Sequence, residues 1–251
     1  MISDKRFLVI SVLVTIACYL TLLLPLPIME IFVMEDGILE SLTAVGFLIT
    51  SICFVIAYLR TKQEGFRASN PLLKRLSYLV LALIFFMGAG EEISWGQRIL
   101  GVETPEAWRE VNVQEETNLH NLEIFHNSSF EYFNSDRLFA VFWGTLMVGI
   151  PGLAFLSPKI KGWLQQLVPI FPWSLGLLFV FNYLLAKVAK EYFLATGTFQ
   201  GSRGLSQSVV EAKEGVYGFL FMVVGLYLIN VMLRATRLKL QAKPKTSTVA
   251  D

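Results

Sequence analysis

The chain has 251 residues, 54% of them hydrophobic and only 16% charged, with a formal net charge of +1. A water-soluble domain carries about 25% charged residues, so the composition excludes an ordinary soluble globular fold. The 21 basic residues are scattered over short segments rather than gathered in one patch, which excludes nucleic acid as a partner.

Six apolar blocks follow in chain order, at about Phe7–Leu24, Ile38–Leu59, Leu76–Gly90, Leu138–Leu156, Phe171–Ala189 and Gly215–Leu233. At 1.5 Å per residue, most can cross a hydrocarbon core of about 30 Å. The predicted fold class is all-α integral membrane, a bundle of six transmembrane helices with a long, partly helical outer loop between helices 3 and 4. Residues 1–240 form a single polytopic domain, 91–137 are the outer loop within it, and 241–251 are a disordered cytoplasmic tail. Asp4-Lys5-Arg6 could open a signal peptide, but Pro25-Leu26-Pro27 follows instead of a small-residue cleavage site, so an uncleaved first helix is expected. Cys18 and Cys53 fall inside apolar blocks and read as packing residues. The third block is short, about 22 Å. It is expected to span by running on to about residue 95, through Glu91-Glu92-Ile93-Ser94-Trp95-Gly96-Gln97 towards Arg98.

The charges orient the bundle. With both termini inside, the inner segments hold 14 of the 21 basic residues and three acids, Asp4, Glu64 and Asp251. The outer segments hold the remaining 7 basic residues and 17 acids. Lys and Arg alone favour this orientation two to one. The expected location is a bacterial plasma (inner) membrane with cytoplasmic N- and C-termini.

Local signals shape the outer segments. Thr104-Pro105-Glu106 reads as the start of a short helix. Ser208-x-x-Glu211 reads as a capping box that opens the sixth helix, after a stretch loosened by Gly197, Gly201 and Gly204. Glu35, Asp36 and Glu40 open the second helix, where the helix dipole is reason enough for acids. Lys187 and Glu191 are spaced to pair on the fifth helix, and with Lys190, Arg98 and Arg203 could meet an anionic headgroup. Asn127-Ser128-Ser129 fits a glycosylation sequon.

Two stretches could carry chemistry. In the first, a continuing helix would put Glu91, Trp95 and Arg98 on one face. Ionisable groups at membrane depth face a bundle interior or wet cavity and mark candidate sites. Glu91 and Glu92 are therefore candidate catalytic acid–base groups, with Trp95 and Arg98 as substrate-binding residues. The plainer reading is a helix end in the headgroups with Glu91 and Arg98 paired. The second stretch holds both histidines, from Glu115 to Asn127. On a helix, Glu116, His120, Glu123 and Asn127 would form one stripe, with an imidazole between two carboxylates. His120 is thus a third catalytic candidate and Asn121 a substrate-binding one. Glu116, His120, Glu123 and His126 are candidate ligands of a divalent metal, the possible cofactor. The plainer reading is the polar face of an interfacial helix.

No Walker loop, dinucleotide fingerprint, His-Glu-x-x-His pair or nucleophile elbow occurs. Glu91-Glu92 is similar to the Glu-Glu-x-x-x-Arg pattern of membrane CAAX-type proteases. Arg98 stands two positions late, and the downstream histidine-bearing helices of that family are missing. The chain is therefore not placed in that family. Three functions remain: a membrane-embedded hydrolase or transferase acting on a lipid or lipid-linked substrate at the outer face, a small proton- or ion-coupled transporter, and a non-catalytic membrane partner or assembly factor. Topology reporters test the orientation. Fusions after residues 65 and 240 should report the cytoplasm, and one after residue 110 the opposite side; a cytoplasmic signal from the last would reverse the assignment.

Overall fold

The computed structural model describes residues 4–34, 36–63, 71–113, 115–119, 121–126, 134–199 and 204–241. Among them the chain is all-helical, apart from an isolated antiparallel bridge between Asn112 and Leu122. The helices of two turns or more are α1 (Asp4–Leu20, continued by a 3-10 turn at Thr21–Leu23), α2 (Leu26–Val33), α3 (Ile38–Gln63), α4 (Pro71–Glu92), α5 (Ser135–Leu156), α6 (Pro158–Leu167), α7 (Trp173–Thr196) and α8 (Leu205–Gln241).

Five stretches are long and apolar enough to cross a membrane: Lys5–Leu23, Leu26–Thr61, Pro71–Glu92, Ser135–Leu156 and Leu205–Leu238. Where the sequence predicts six spans, α7 is the one outside this set, with Lys187, Lys190 and Glu191 in its second half. Large apolar side chains such as Leu13, Val141, Leu177 and Val188 stay exposed around the bundle. Water penalises such a surface and lipid does not. Inside the spans, hydroxyls such as Ser11, Thr15, Thr43 and Thr50 donate to carbonyls one turn back, so no separate partner is needed in lipid. Both cysteines are free and buried, as expected of packing residues.

Two helices differ from the sequence reading in ways that move the polar residues. Helix α4 begins at Pro71, in the first turn where a missing N–H costs nothing. Its 22 residues make about 33 Å, enough to span without help from beyond Glu92. The expected continuation to Arg98 does not form, because Ser94, Trp95 and Gly96 have φ of 44°, 55° and 76° and the chain turns left-handed. Helix α8 begins at Leu205, ten residues before the apolar block. Ser208 lies inside it, its Oγ donating to the Gly204 carbonyl at 3.1 Å, so the expected capping box is not made.

Helix α8 is the centre of the bundle and packs along α3, α7 and α1, while α4 packs along α3. The α3–α8 contact is backbone on backbone. A Cβ at Gly46 would lie 2.2 Å from the Gly218 carbonyl oxygen, and one at Gly218 would lie 2.4 Å from Thr43 Cα. Small residues permit this approach, which dispersion forces reward in a bilayer. A similar contact joins α7 to α5, where a Gly176 Cβ would meet the Met147 carbonyl oxygen at 2.2 Å. Pro151 has no N–H to occupy that carbonyl from one turn ahead, and α5 widens to a π-helical turn at Thr145–Gly149. Phe47, Phe85, Phe139, Phe142, Phe179 and Phe221 fill the space between α3, α4, α5, α7 and α8, with ring centroids 4.7–6.1 Å apart. Gly218→Ala and Gly46→Ala should each cost about 1–3 kcal/mol through overpacking, seen as a lower unfolding temperature of the purified protein. Gly144→Ala, where an added Cβ meets nothing within 4 Å, should leave it unchanged.

Candidate functional site

The site is built where α4 stops. The left-handed turn at Ser94–Gly96 folds Trp95 back over the last turn of α4, with its ring against Gly90. A Cβ at Gly90 would lie 2.7 Å from the indole, so the fold needs glycine there. Trp95 also meets Phe86 edge to face at 6.1 Å, and its Nε1–H donates to Glu91 Oε1 at 2.8 Å. The other oxygen, Glu91 Oε2, accepts the backbone N–H of Leu119. Glu91 therefore joins α4 to the loop that follows.

That loop docks through side-chain amides and hydroxyls. Ser94 Oγ donates to Glu116 Oε2 at 2.6 Å, and Asn118 Nδ2 donates to Glu116 Oε2 at 2.7 Å and to Ser94 Oγ at 3.1 Å. Asn112 Nδ2 donates to the Asn118 carbonyl and side-chain oxygens at 2.9 and 3.0 Å. Gln97 Oε1 accepts the N–H and hydroxyl of Thr117 at 2.9 and 2.6 Å. The Gln97 amide also reaches Thr104, whose hydroxyl donates to the Glu115 carbonyl at 2.6 Å. A single helical turn does start after Pro105, at Glu106–Arg109, but the Thr104 hydroxyl serves this network instead of capping it. The two stretches singled out in the sequence thus pack directly on each other.

The histidine-bearing stretch is not a helix. Val113 N–H donates to the Asn121 carbonyl at 2.9 Å and Glu123 N–H to the Val111 carbonyl at 2.8 Å, in hairpin fashion. Only Glu123–His126 makes a helical turn. Glu116 and Glu123 therefore do not share the expected stripe, and Glu116 is held by Ser94 and Asn118. Asn121 is buried within the hairpin. His120 and the Asn127 sequon lie outside the described residues, as do the side chains of Arg98 and His126. Among the described residues, no three His, Cys, Asp or Glu side chains are placed to hold a metal ion.

What gathers instead is a group of carboxylates. The strongest electrostatic neighbours of Glu92 are Glu214, Glu211, Glu40 and Glu91, brought from α8, α3 and α4. Glu40 accepts the Asp36 N–H at 2.6 Å at the start of α3, in keeping with its expected structural place. Beside Glu92 opens a cavity of about 220 Å³, lined by Thr43, Glu91, Ser135, Asp136, Glu214 and Tyr217 among others, with Phe47 and Phe139 on its apolar wall. Asn134 caps α5 by accepting the Asp136 N–H at 2.9 Å, which sets Asp136 in the first turn. Lys213 Nζ lies 3.0 Å from Asp136 and 3.9 Å from Glu214. The Lys213 carbonyl accepts Asn182 Nδ2 at 2.9 Å, and Asn182 Oδ1 accepts the Tyr19 hydroxyl at 2.8 Å.

The sequence reading leaves out Asp136, Lys213 and Tyr217, and its capping-box pattern accounts for Glu211 without function. The usable signal is the i, i+3, i+7 stripe Glu214, Tyr217, Phe221 on α8. The expected Lys187–Glu191 pair is replaced in the structure by Lys187 standing over the Tyr183 ring at 4.6 Å. Family models, curated proteins and solved structures offer no match to this chain. The docked loop is testable through Asn118, which is 1% exposed. Asn118→Ala strips partners from Ser94, Glu116 and Asn112 and should cost about 1–3 kcal/mol. Amide exchange across residues 94–122 should accelerate while the helices keep their protection.

Proposed function

We propose that this chain is a membrane-embedded enzyme, a hydrolase or transferase acting on a lipid or lipid-linked substrate, with Glu92 as its acid–base group. The observation that supports it is the position of Glu92. It stands at the end of a membrane-spanning helix, beside a cavity walled by Phe47, Phe139 and Tyr217 and rimmed by Glu91, Glu214 and Asp136. An apolar cavity with a few convergent polar groups is the usual form of a small-molecule site. A carboxyl group within it can move a proton to or from a bound substrate.

The two glutamates of the sequence pair divide the work in this reading. Glu91, fixed at both oxygens by Trp95 and Leu119, holds the loop and positions its neighbour. Glu92 is left to act on the substrate. The Lys213–Asp136 pair fixes α8 against α5 on the far wall. Asn121 and Arg98 stay in the proposal as substrate-binding residues and His120 as a further catalytic or metal-binding one, and metal analysis of the purified protein with and without His120→Ala tests the divalent ion. We place α7 as a sixth span, which returns both termini to the cytoplasmic side of a bacterial plasma membrane and puts this cavity at the outer face.

The crowding of acids around Glu92 favours a second reading, a carrier that moves a proton or cation. Lipid extracts decide between the two. Cells producing the intact chain should lose one lipid species and gain another relative to cells without it. Glu92→Gln, present at equal level in the membrane, should slow that conversion by about 10²–10⁴-fold. Identical extracts from intact and Glu92→Gln cells would sink the enzyme reading, and uptake driven by a pH gradient in proteoliposomes would install the carrier.

A further inference from the structure

Two groups at the cavity ask for a ligand. The Glu92 carboxylate has no hydrogen-bond donor among the described residues, and its strongest electrostatic neighbours are four other carboxylates. The Tyr217 hydroxyl, on a side chain 1% exposed, is buried without a hydrogen bond to any described group. A buried hydroxyl left without a partner costs about 1–3 kcal/mol. Both residues line the same cavity. Glu214 and Asp136 add charge of the same sign to its wall, and Lys213 is held in the ion pair described above.

The remaining wall is aromatic. Phe47, Phe139 and Tyr217 line it, with Phe139 edge to face on Tyr217 at 5.4 Å and tilted against Phe47 at 6.1 Å. Ring faces attract a positive charge, by about 0.5–2 kcal/mol as it is desolvated. An organic cation suits this lining, because its charge sits on a group that apolar and aromatic walls can enclose. At about 220 Å³ the cavity is smaller than the roughly 300–1,000 Å³ of a site that encloses a drug-sized ligand. It therefore takes a head group and leaves the rest of the molecule outside, against the apolar flank of the bundle.

We propose that this cavity binds the primary ammonium head of an amphiphile, with Glu92 accepting one N–H, the Tyr217 oxygen accepting another, and Phe47 and Phe139 enclosing the head. This rests on the reading of the cavity as the substrate site and names the substrate's class. A membrane lipid with an amine head and a free long-chain amine share this chemistry.

Octylamine, cationic at neutral pH, is the probe, with octanol as its neutral counterpart and octyltrimethylammonium as a cation without N–H donors. The full chain in a neutral detergent is titrated while tryptophan emission is followed. Trp95 is bonded to Glu91 and Trp143 packs 5.6 Å from the Tyr217 ring, so both sense the cavity. Octylamine should give a saturable change and bind about tenfold tighter than octanol, with octyltrimethylammonium between them. Glu92→Gln should weaken octylamine about tenfold, and Tyr217→Phe should weaken octylamine while leaving octyltrimethylammonium unaffected. Should Glu92→Gln fail to fold, Glu92→Asp is read in its place, with weaker binding expected from the shortened reach. Octanol binding as tightly as octylamine, or octylamine binding unchanged in the folded Glu92 variant, overturns the assignment. Amines extracted from membranes that compete for the site identify a lipid source, and competition by soluble long-chain amines alone identifies the other. Binding without lipid conversion would keep this inference and remove the enzyme reading, whereas conversion without octylamine binding would do the reverse.

Discussion

The backbone contact between α3 and α8 at Gly46 and Gly218 is the constraint on which the remaining structure hangs. Lipid gives no hydrophobic drive for two apolar helices to meet, so close dispersion contact must bring them together. Gly218 seats against Thr43, and its neighbour Tyr217 lines the same cavity as Thr43. The tight approach therefore fixes one wall of the site directly. It also sets Glu40 of α3 and Glu211 and Glu214 of α8 within electrostatic reach of Glu92, although each lies on a different part of the chain. Acids drawn so close would push helices apart unless packing below them held. The phenylalanine cluster around Phe221 supplies that packing.

A second level of order sits on top. The docked loop is held by amide and hydroxyl hydrogen bonds, several of them between residues separated by about twenty positions. Two non-glycine residues, Ser94 and Trp95, adopt left-handed backbone to make it, at about 1–2 kcal/mol each. The indole packing on Gly90 and the two bonds to Glu91 offset that strain locally. Adjacent and chemically identical residues thus receive opposite treatment. Glu91 is bonded at both oxygens, and Glu92 faces the cavity.

Much of this was legible beforehand, for identifiable reasons. Long uncharged runs such as Ile38–Leu59 and Leu138–Leu156 announce helices because lipid requires every backbone group to be satisfied internally. The polar stretch at Glu91–Arg98 and the one at Glu115–Asn127 stood out because such residues are rare in a chain this apolar, and they do meet. Their shape was not legible. The sequence pattern suggests a helix for both, whereas a left-handed triplet at Ser94–Gly96 and a hairpin at Asn112–Leu122 are set by tertiary hydrogen bonds that no local pattern encodes. Hydropathy marks where lipid begins, not where helical hydrogen bonding begins, so α4 and α8 start earlier than their apolar blocks. The acid cluster is hidden for another reason: the capping-box pattern accounts for Glu211 by itself, and only tertiary packing brings Glu214 and Asp136 to one cavity with Glu92.

The link from Tyr19 through Asn182 to Lys213 bears on how the bundle is assembled. It joins the first long helix to the last two, and its Tyr19–Asn182 bond alone crosses 163 positions of chain. During membrane insertion the Tyr19 hydroxyl enters lipid long before Asn182 has been synthesised, and the Asn182 amide in turn waits for the Lys213 carbonyl. The chain of bonds is complete only when α8 is in the bundle, and α8 is also the helix that carries Glu214 and Tyr217 to the cavity.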